Sequence, residues 1–129
     1  IARYRRAAPT HTPLRSGNSD LQYDIEGLAI YHGPDGDFLL SSSQGNNRYA
    51  LYDVAANHEY KGFFQVSDGL FDGSEETDGI DVFSGALGAK FPFGLFVCQD
   101  GYNKDSNGDA VPQNFKLVDW RQIAAALHL

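Results

Sequence analysis

The chain has 129 residues, a length that fits one domain or less, and 42% of them are hydrophobic, which is enough for a packed core. Its 17 acidic and 10 basic residues give a formal net charge of −7, which argues against nucleic acid or an anionic membrane surface as a partner. No run is long and apolar enough to span a membrane, and the single cysteine, Cys98, has no partner for an internal disulfide. An anionic substrate stays possible, because a bound cation reverses the local sign of the charge.

The first 20 residues form a separate segment that contains Pro, Ser, Thr and Asn. It carries four of the ten basic residues, namely Arg3, Arg5, Arg6 and Arg15. We expect an N-terminal arm over 1–20, with an arm that binds phosphate groups as the alternative. No signal peptide is visible and the chain starts at Ile1, as expected of a processed protein, an expression product or a fragment.

Four short strands are predicted in the next segment, 21–68. They cover 27–31, 38–42, 48–53 and 60–66, runs with aromatic or β-branched residues and, in 48–53, a two-residue alternation. Turn signals at 33–36 (GPDG) and 45–47 (GNN) separate them. Four antiparallel strands over about forty residues are typical of one blade of a β-propeller.

A second unit is predicted over 69–129. Strands are expected at 80–83, 95–99 and 115–118, with a loop at 87–94 and a polar loop at 100–112. A short amphipathic helix follows at 120–129, with Trp120, Ile123, Ala124 and Leu127 on one face. Cys98 lies in an apolar run and is expected to pack as a small buried residue. The predicted fold class is therefore all-β, with about two blades of antiparallel strands and a short C-terminal helix.

Carboxylates are concentrated in two segments that contain no lysine or arginine, 24–26 (DIE) and 72–81 (DGSEETDGID). Such a density of like charges is repulsive unless a cation neutralises it, and hard oxygen ligands of this kind suit Ca²⁺. Because residues two apart in a strand point to the same side, Asp24 and Glu26 are able to face one metal site. Solvated acids at a strand start and an acidic surface loop are the alternatives.

Five motifs in the same order resemble those of the β-propeller phytases, over about residues 23–125. They are DIEGLAIY (24–31), SSQGNN with YALYD (42–47 and 49–53), TDGIDV (77–82), FPFGLFV with QDG (91–97 and 99–101), and QNFKLV with Trp120 (113–118). The resemblance implies a six-bladed propeller and a secreted, Ca²⁺-dependent enzyme that hydrolyses phosphate esters of myo-inositol hexakisphosphate (phytate). In such an enzyme a water bridging the metals attacks phosphorus, and the metals stabilise the transferring charge.

The resemblance also implies roles for individual residues. Asp24 and Glu26 match active-site calcium ligands, and Asp78 matches a third from the following blade. Asp72, Gly73 (through its carbonyl) and Asp100 match residues around a structural calcium, and Asp105 falls where the family has a further calcium-binding acid.

Two departures from the family pattern bear on function. Tyr102 stands where the family usually has a glutamate ligand, which predicts a weaker structural site unless oxygen side chains in 105–109 compensate; a solvated turn is the other reading of that run. About two blades cannot close a propeller ring, so the chain is expected to be a C-terminal portion. The remainder of the propeller, or self-association, would then cover its exposed edges and faces.

Three functions follow from these observations. The first is a calcium-dependent phytase of which this chain is part. The second is a non-catalytic calcium-binding propeller fragment, and the third is a propeller hydrolase that acts on another ester. A catalytic serine is disfavoured, since Ser41, Ser42 and Ser43 lack a Gly-x-Ser-x-Gly context.

Overall fold

A computed structural model describes residues 21–129; the predicted arm over 1–20 lies outside the described residues. Within 21–129 it contains seven strands and one α-helix, with a short 3-10 turn, Gln44–Asn46, between the second and third strands. In chain order they are β1 Leu28–Gly33, β2 Gly36–Ser43, β3 Arg48–Asp53, β4 Glu59–Phe64, β5 Ile80–Phe83, β6 Leu95–Asp100, β7 Asn114–Asp119 and α1 Trp120–Leu127.

The strands form two open antiparallel sheets. The first sheet has the order β1-β2-β3-β4 and the second the order β5-β6-β7, so every pairing joins strands that are consecutive along the chain. Leu40 pairs with Leu51 in the first sheet, and Phe96 pairs with Val118 in the second. The predicted mainly-β fold with a short C-terminal helix is confirmed at this level. The assignment of the sheets to propeller blades, and the boundaries at 20 and 68, stay predictions.

The ends of two elements differ from the predicted bounds. β4 starts at Glu59 and ends at Phe64 instead of 66, and a bulge interrupts its pairing with β3 between Leu51 and Tyr52. α1 stops at Leu127, because His128 adopts a positive φ of 55° and its N–H bonds the carbonyl of Ala124. This left-handed cap is a common way to end a helix.

One hydrophobic core lies between the two sheets and the helix. The inner face of each sheet and the apolar face of α1 contribute to it, and the predicted helix face is confirmed. Its buried members are Tyr31, Phe38, Leu40, Tyr49, Leu51, Phe64, Phe96, Cys98, Trp120 and Ile123, with Ala124 and Leu127 packed against them. Burial confirms the prediction for Cys98 and raises the pKa of its thiol.

Direct contacts fix the two sheets against each other. The rings of Tyr31 and Trp120 stack with centroids 3.5 Å apart, and the Tyr31 hydroxyl donates to the carbonyl of Phe93 at 2.7 Å. At the edge between β1 and β5, the His32 N–H donates to the hydroxyl of Ser84 at 2.8 Å. These contacts hold the two sheets together at the C-terminal ends of β1 and β5.

The outer face of the second sheet carries several exposed apolar side chains. Phe83, Phe115 and Leu117 are 50%, 68% and 58% exposed, and the register places Leu117 beside Val97 on the same face. No helix within 21–129 combines the length and the apolar character needed to cross a membrane.

Candidate active site

The segment that carries Asp24 and Glu26 lies immediately before β1 and is tied to the end of β2. The Gly27 N–H donates to the Ser42 hydroxyl at 2.7 Å, and the Ser42 N–H donates to the Gly27 carbonyl at 2.9 Å. Two residues before Asp24, the Gln22 N–H donates to the Ser43 hydroxyl at 2.7 Å. Consecutive serines at the end of β2 thus hold the backbone on both sides of the two acids.

The 3-10 turn after β2 contacts the same segment. The Gln44 N–H donates to the Asp24 carbonyl at 2.9 Å. Gly45 sits so close to this segment that a Cβ atom would overlap the carbonyl oxygen of Tyr23. Only glycine permits this approach, which explains the glycine at position 45.

Asp78 precedes β5 and is held by both sheets. Its N–H donates to the side-chain oxygen of Gln99 at 2.9 Å, and Gln99 also donates its own N–H to the Gly79 carbonyl at 3.0 Å. From the first sheet, the Gln44 side-chain amide donates to the Asp78 carboxylate at 2.8 Å. Gln44 therefore contacts both predicted ligand segments, a role that the sequence analysis did not assign.

A buried hydroxyl cluster supports the loop before Asp78. The Tyr49 hydroxyl lies 2.8 Å from the Ser74 hydroxyl and 2.6 Å from the Thr77 hydroxyl, and all three residues are buried. Burial raises the pKa of Tyr49, so the phenol stays neutral and keeps its proton for hydrogen bonding. The loop is thereby attached to β3 through side chains.

The second predicted calcium group, Asp72, Gly73 and Asp100, lies where two loops are joined by hydrogen bonds. Asp100 is fully buried, and one of its carboxylate oxygens accepts from the N–H groups of Glu75 and Tyr102 at 3.1 and 3.2 Å. Asp72 accepts from the Lys104 N–H at 2.8 Å. These carboxylates join the loop after β4 to the loop after β6.

Gly73 is buried in the first of these loops. Its N–H donates to the Asp68 carboxylate at 2.9 Å, and a Cβ atom at this position would overlap the Val66 carbonyl oxygen. A side chain at position 73 would therefore displace the loop backbone.

Two lysines contact carboxylates at this junction of two loops. The Lys116 ammonium is 3.1 Å from the other Asp100 oxygen and also donates to the Asn103 side chain at 3.0 Å. The Lys104 ammonium is 3.3 Å from Glu75, whose hydrogen bond raises the pKa of Lys104. Neither contact has a local sequence signal, because both lysines are far along the chain from the carboxylates that they contact.

Asp105 forms a closed turn with the residues that follow it. Its carboxylate accepts from the N–H groups of Asn107 and Asp109 at 2.8 and 3.0 Å, and its N–H donates to the Asp109 carbonyl at 2.9 Å. The bonds from Asp109 and Asn107 lower the pKa of Asp105. These bonds close the turn over residues 105–109.

The structure brings Asp24 and Asp78 to the same end of the two sheets, with Gln44 between them. Across residues 21–129, however, it contains no group of three or more His, Cys, Asp or Glu side chains close enough to hold a metal ion. The donors available at this end are carboxylate and amide oxygens, whose chemistry fits Ca²⁺ and not a soft metal. The ligand assignments of Asp24, Glu26, Asp78, Asp72, Gly73, Asp100 and Asp105 stay predictions.

Comparison with known proteins defines the class of this mainly-β chain and of its carboxylate-containing segments. The sequence profile of the Phytase family matches residues 9–129. Over 115 residues the chain is 51% identical to the 3-phytase of Bacillus subtilis (strain 168), an alignment that covers 88% of this chain and 30% of that relative. The chain belongs to the Phytase family, as the sequence motifs indicated. It spans about a third of the length of the relative that it matches.

Proposed function

We propose that the protein carrying this chain is a phosphomonoester hydrolase that releases phosphate from phytate and depends on Ca²⁺. The observation that carries the proposal is the family match over residues 9–129, which includes every acidic segment described above. The position of the acidic segments supports the proposal, since Asp24 and Asp78 lie at the same end of the two sheets.

Asp24, Glu26 and Asp78 would hold the calcium at this end. When bound, calcium supplies positive charge for the substrate phosphates and lowers the pKa of a bound water that acts as nucleophile. The residues of the chain provide the negative charge and the fixed positions. Ser42 and Ser43 hold the backbone of the first acidic segment, and Gln99 holds the backbone of Asp78.

A second calcium would be held at the loop junction by Asp72, the Gly73 carbonyl and Asp100, with Asp105 nearby in sequence. Lys116 already balances Asp100, so this junction has an internal cation. The carboxylate-to-backbone bonds of Asp72 and Asp100 hold the two loops together through the chain's own groups.

The two sheets correspond, in this proposal, to two blades of a six-bladed propeller in a secreted enzyme. The exposed apolar residues Phe83, Phe115 and Leu117 support this view, because a blade face of that kind needs a neighbour. The remainder of the propeller, or a second copy of the chain, would supply it.

The proposal is tested by measuring the release of phosphate from phytate. The protein assayed is this chain expressed together with its flanking coding sequence. Activity is expected with Ca²⁺ and should be lost in a chelator. Asp78→Asn should abolish it, whereas Asp35→Asn, in the exposed turn at the opposite end of β1, is the matched control and should not.

Other outcomes separate the alternative functions. Calcium binding without phosphate release would support a non-catalytic propeller. Cleavage of a simple phosphate ester or a lactone, with phytate left intact, would support a hydrolase with another substrate. Hydrolysis of phytate at full rate in chelator would refute the calcium requirement.

A further inference from the structure

We propose that Tyr23 is a substrate-binding residue, whose hydroxyl donates a hydrogen bond to a phosphate group adjacent to the one held by calcium. The inference rests on the proposed function, because it assumes that a polyphosphorylated substrate binds beside Asp24. It assigns a role to a residue that lies just before the first sequence motif, DIEGLAIY (24–31), and that is not one of the predicted metal ligands.

The ring of Tyr23 is open to solvent. No other Tyr, Phe or Trp within residues 21–129 is as exposed as this one, at 90%. A tyrosine ring combines a large apolar surface with one polar atom, and such rings are enriched in binding surfaces. Packing of the core does not account for the ring, whereas contact with a ligand would.

The backbone on both sides of Tyr23 is fixed. On one side, the Gln22 N–H donates to the Ser43 hydroxyl at 2.7 Å, and the same hydroxyl donates to the Gln22 carbonyl at 3.0 Å. On the other side, the Gln44 N–H donates to the Asp24 carbonyl at 2.9 Å. The freedom that remains is rotation about two side-chain torsions, so the ring loses little conformational entropy when it binds a ligand.

The position of the ring suits a phosphate beside the reacting one. Neighbouring Cα atoms lie less than about 4 Å apart, so Tyr23 is next to Asp24, a predicted calcium ligand. Phytate carries a phosphate ester on every carbon of its ring. When one phosphate is bound at the metal, its neighbours on the ring project to either side, where the residue before Asp24 meets them.

An uncharged donor suits a position beside metal ligands. A lysine or arginine at position 23 would be attracted to the carboxylates of Asp24 and Glu26 and would compete with calcium for them. The chain shows such a pairing elsewhere, where the Lys104 ammonium lies 3.3 Å from Glu75. A tyrosine hydroxyl donates one hydrogen bond without adding a positive charge, and a bond to phosphate is strengthened by the charge of the acceptor.

The test is the affinity of the calcium-loaded protein for myo-inositol hexakissulfate, a polyanion shaped like phytate that carries no phosphate to release. Calorimetric titrations compare wild type, Tyr23→Phe and Tyr60→Phe, each as this chain with its flanking coding sequence. Tyr60 is the matched control, because it loses the same atom at the start of β4, where it pairs with Tyr52 at the opposite end of the first sheet. Loss of a hydrogen bond to a charged group typically weakens binding by about tenfold to a hundredfold.

We expect that loss of hexakissulfate affinity for Tyr23→Phe, no measurable change for Tyr60→Phe, and equal calcium affinity in all three proteins. In phytate hydrolysis, Tyr23→Phe should raise KM by the same factor and leave kcat unchanged. An unchanged hexakissulfate affinity in Tyr23→Phe, an equal loss in Tyr60→Phe, or weakened calcium binding in Tyr23→Phe would each overturn the inference.

The two proposals fail in distinguishable ways. If wild type binds hexakissulfate but releases no phosphate from phytate, hydrolysis fails, and the role of Tyr23 is still decided by the titrations. If wild type hydrolyses phytate and Tyr23→Phe binds hexakissulfate as tightly as wild type does, this inference alone fails. If wild type neither binds hexakissulfate nor hydrolyses phytate, both proposals are refuted.

Discussion

Removing the Tyr49 hydroxyl tests whether side-chain hydrogen bonds attach the Asp78 loop to the first sheet. Tyr49→Phe keeps the ring, whose centroid lies 5.1 Å from that of Phe64 and 4.9 Å from that of Phe96. It deletes one oxygen that contacts two buried hydroxyls, those of Ser74 and Thr77, which are 4% and 3% exposed. The substitution therefore changes hydrogen bonding while the aromatic packing stays in place.

The expected loss of stability follows from these two contacts. A neutral hydrogen bond contributes about 0.5–1.5 kcal/mol net, and a buried hydroxyl left without a partner costs about 1–3 kcal/mol. Because Ser74 and Thr77 each lose a bond at a buried position, we expect Tyr49→Phe to lower the free energy of unfolding by about 2 kcal/mol. For a chain of this size that corresponds to a fall of about 8 °C in the melting temperature.

Urea unfolding and thermal melts in chelator measure this loss without any contribution from bound metal. Tyr102→Phe is the matched control, since it deletes the same atom from a ring that is 60% exposed, and it should leave stability unchanged. Thr77→Val added to Tyr49→Phe should cost less than the sum of the single changes, because replacing both partners removes the unpaired group. A Tyr49→Phe protein as stable as Tyr102→Phe, or additive costs in the double variant, would refute the reasoning.

The other predictions concern the loop junction, the turn and the helix. Lys116→Met should destabilise the fold by about 3–5 kcal/mol in urea unfolding, because it leaves Asp100 buried without its cation, and Asp100→Asn in the same chain should restore part of the loss. A Lys116→Met protein of wild-type stability would contradict this. Gly45→Ala should weaken calcium binding, because the added Cβ atom would overlap the Tyr23 carbonyl oxygen and move the acidic segment before β1. An unchanged calcium titration would contradict this prediction. The Arg121 hydrogen bond lowers the pKa of Asp119, so the stability it contributes is present above about pH 4 and lost as the pH falls through the lowered value. Asp119→Asn should flatten that acid limb in melts at decreasing pH, and an unchanged slope would argue against the pair.

Local sequence pattern predicts the elements of this fold well. Alternation in 48–53 and the turn signals at 33–36 and 45–47 identify three strands of the first sheet, because period-two burial and turn chemistry act within a few residues. The helix face through Trp120 and Ile123 follows from its spacing in the same way. β4 ends two residues before its predicted end, since strand ends depend on pairing with β3 and not on local pattern.

The candidate site is predicted less completely, because its contacts join distant segments. Asp24 and Asp78 stand out as acids, yet the amide that lies between them comes from position 44, 34 residues before Asp78. In the same way, the cation of Asp100 comes from Lys116 on the neighbouring strand, where Asp100 pairs with Asn114 and Lys116 with Cys98. Such partners depend on strand register and on how the two sheets pack, neither of which a local motif contains.

The stacked pair of Tyr31 and Trp120 gives this protein an internal optical reporter. Trp120 is the single tryptophan of the chain, it is 5% exposed, and its ring lies against β1 while its backbone begins α1 directly after β7. Any event that separates the two sheets must expose this indole to water and shift its emission to longer wavelength. Fluorescence of the unlabelled protein therefore follows docking of one sheet on the other, and circular dichroism follows the strands themselves. A difference between the two signals during unfolding would identify a state in which both sheets persist after they have come apart.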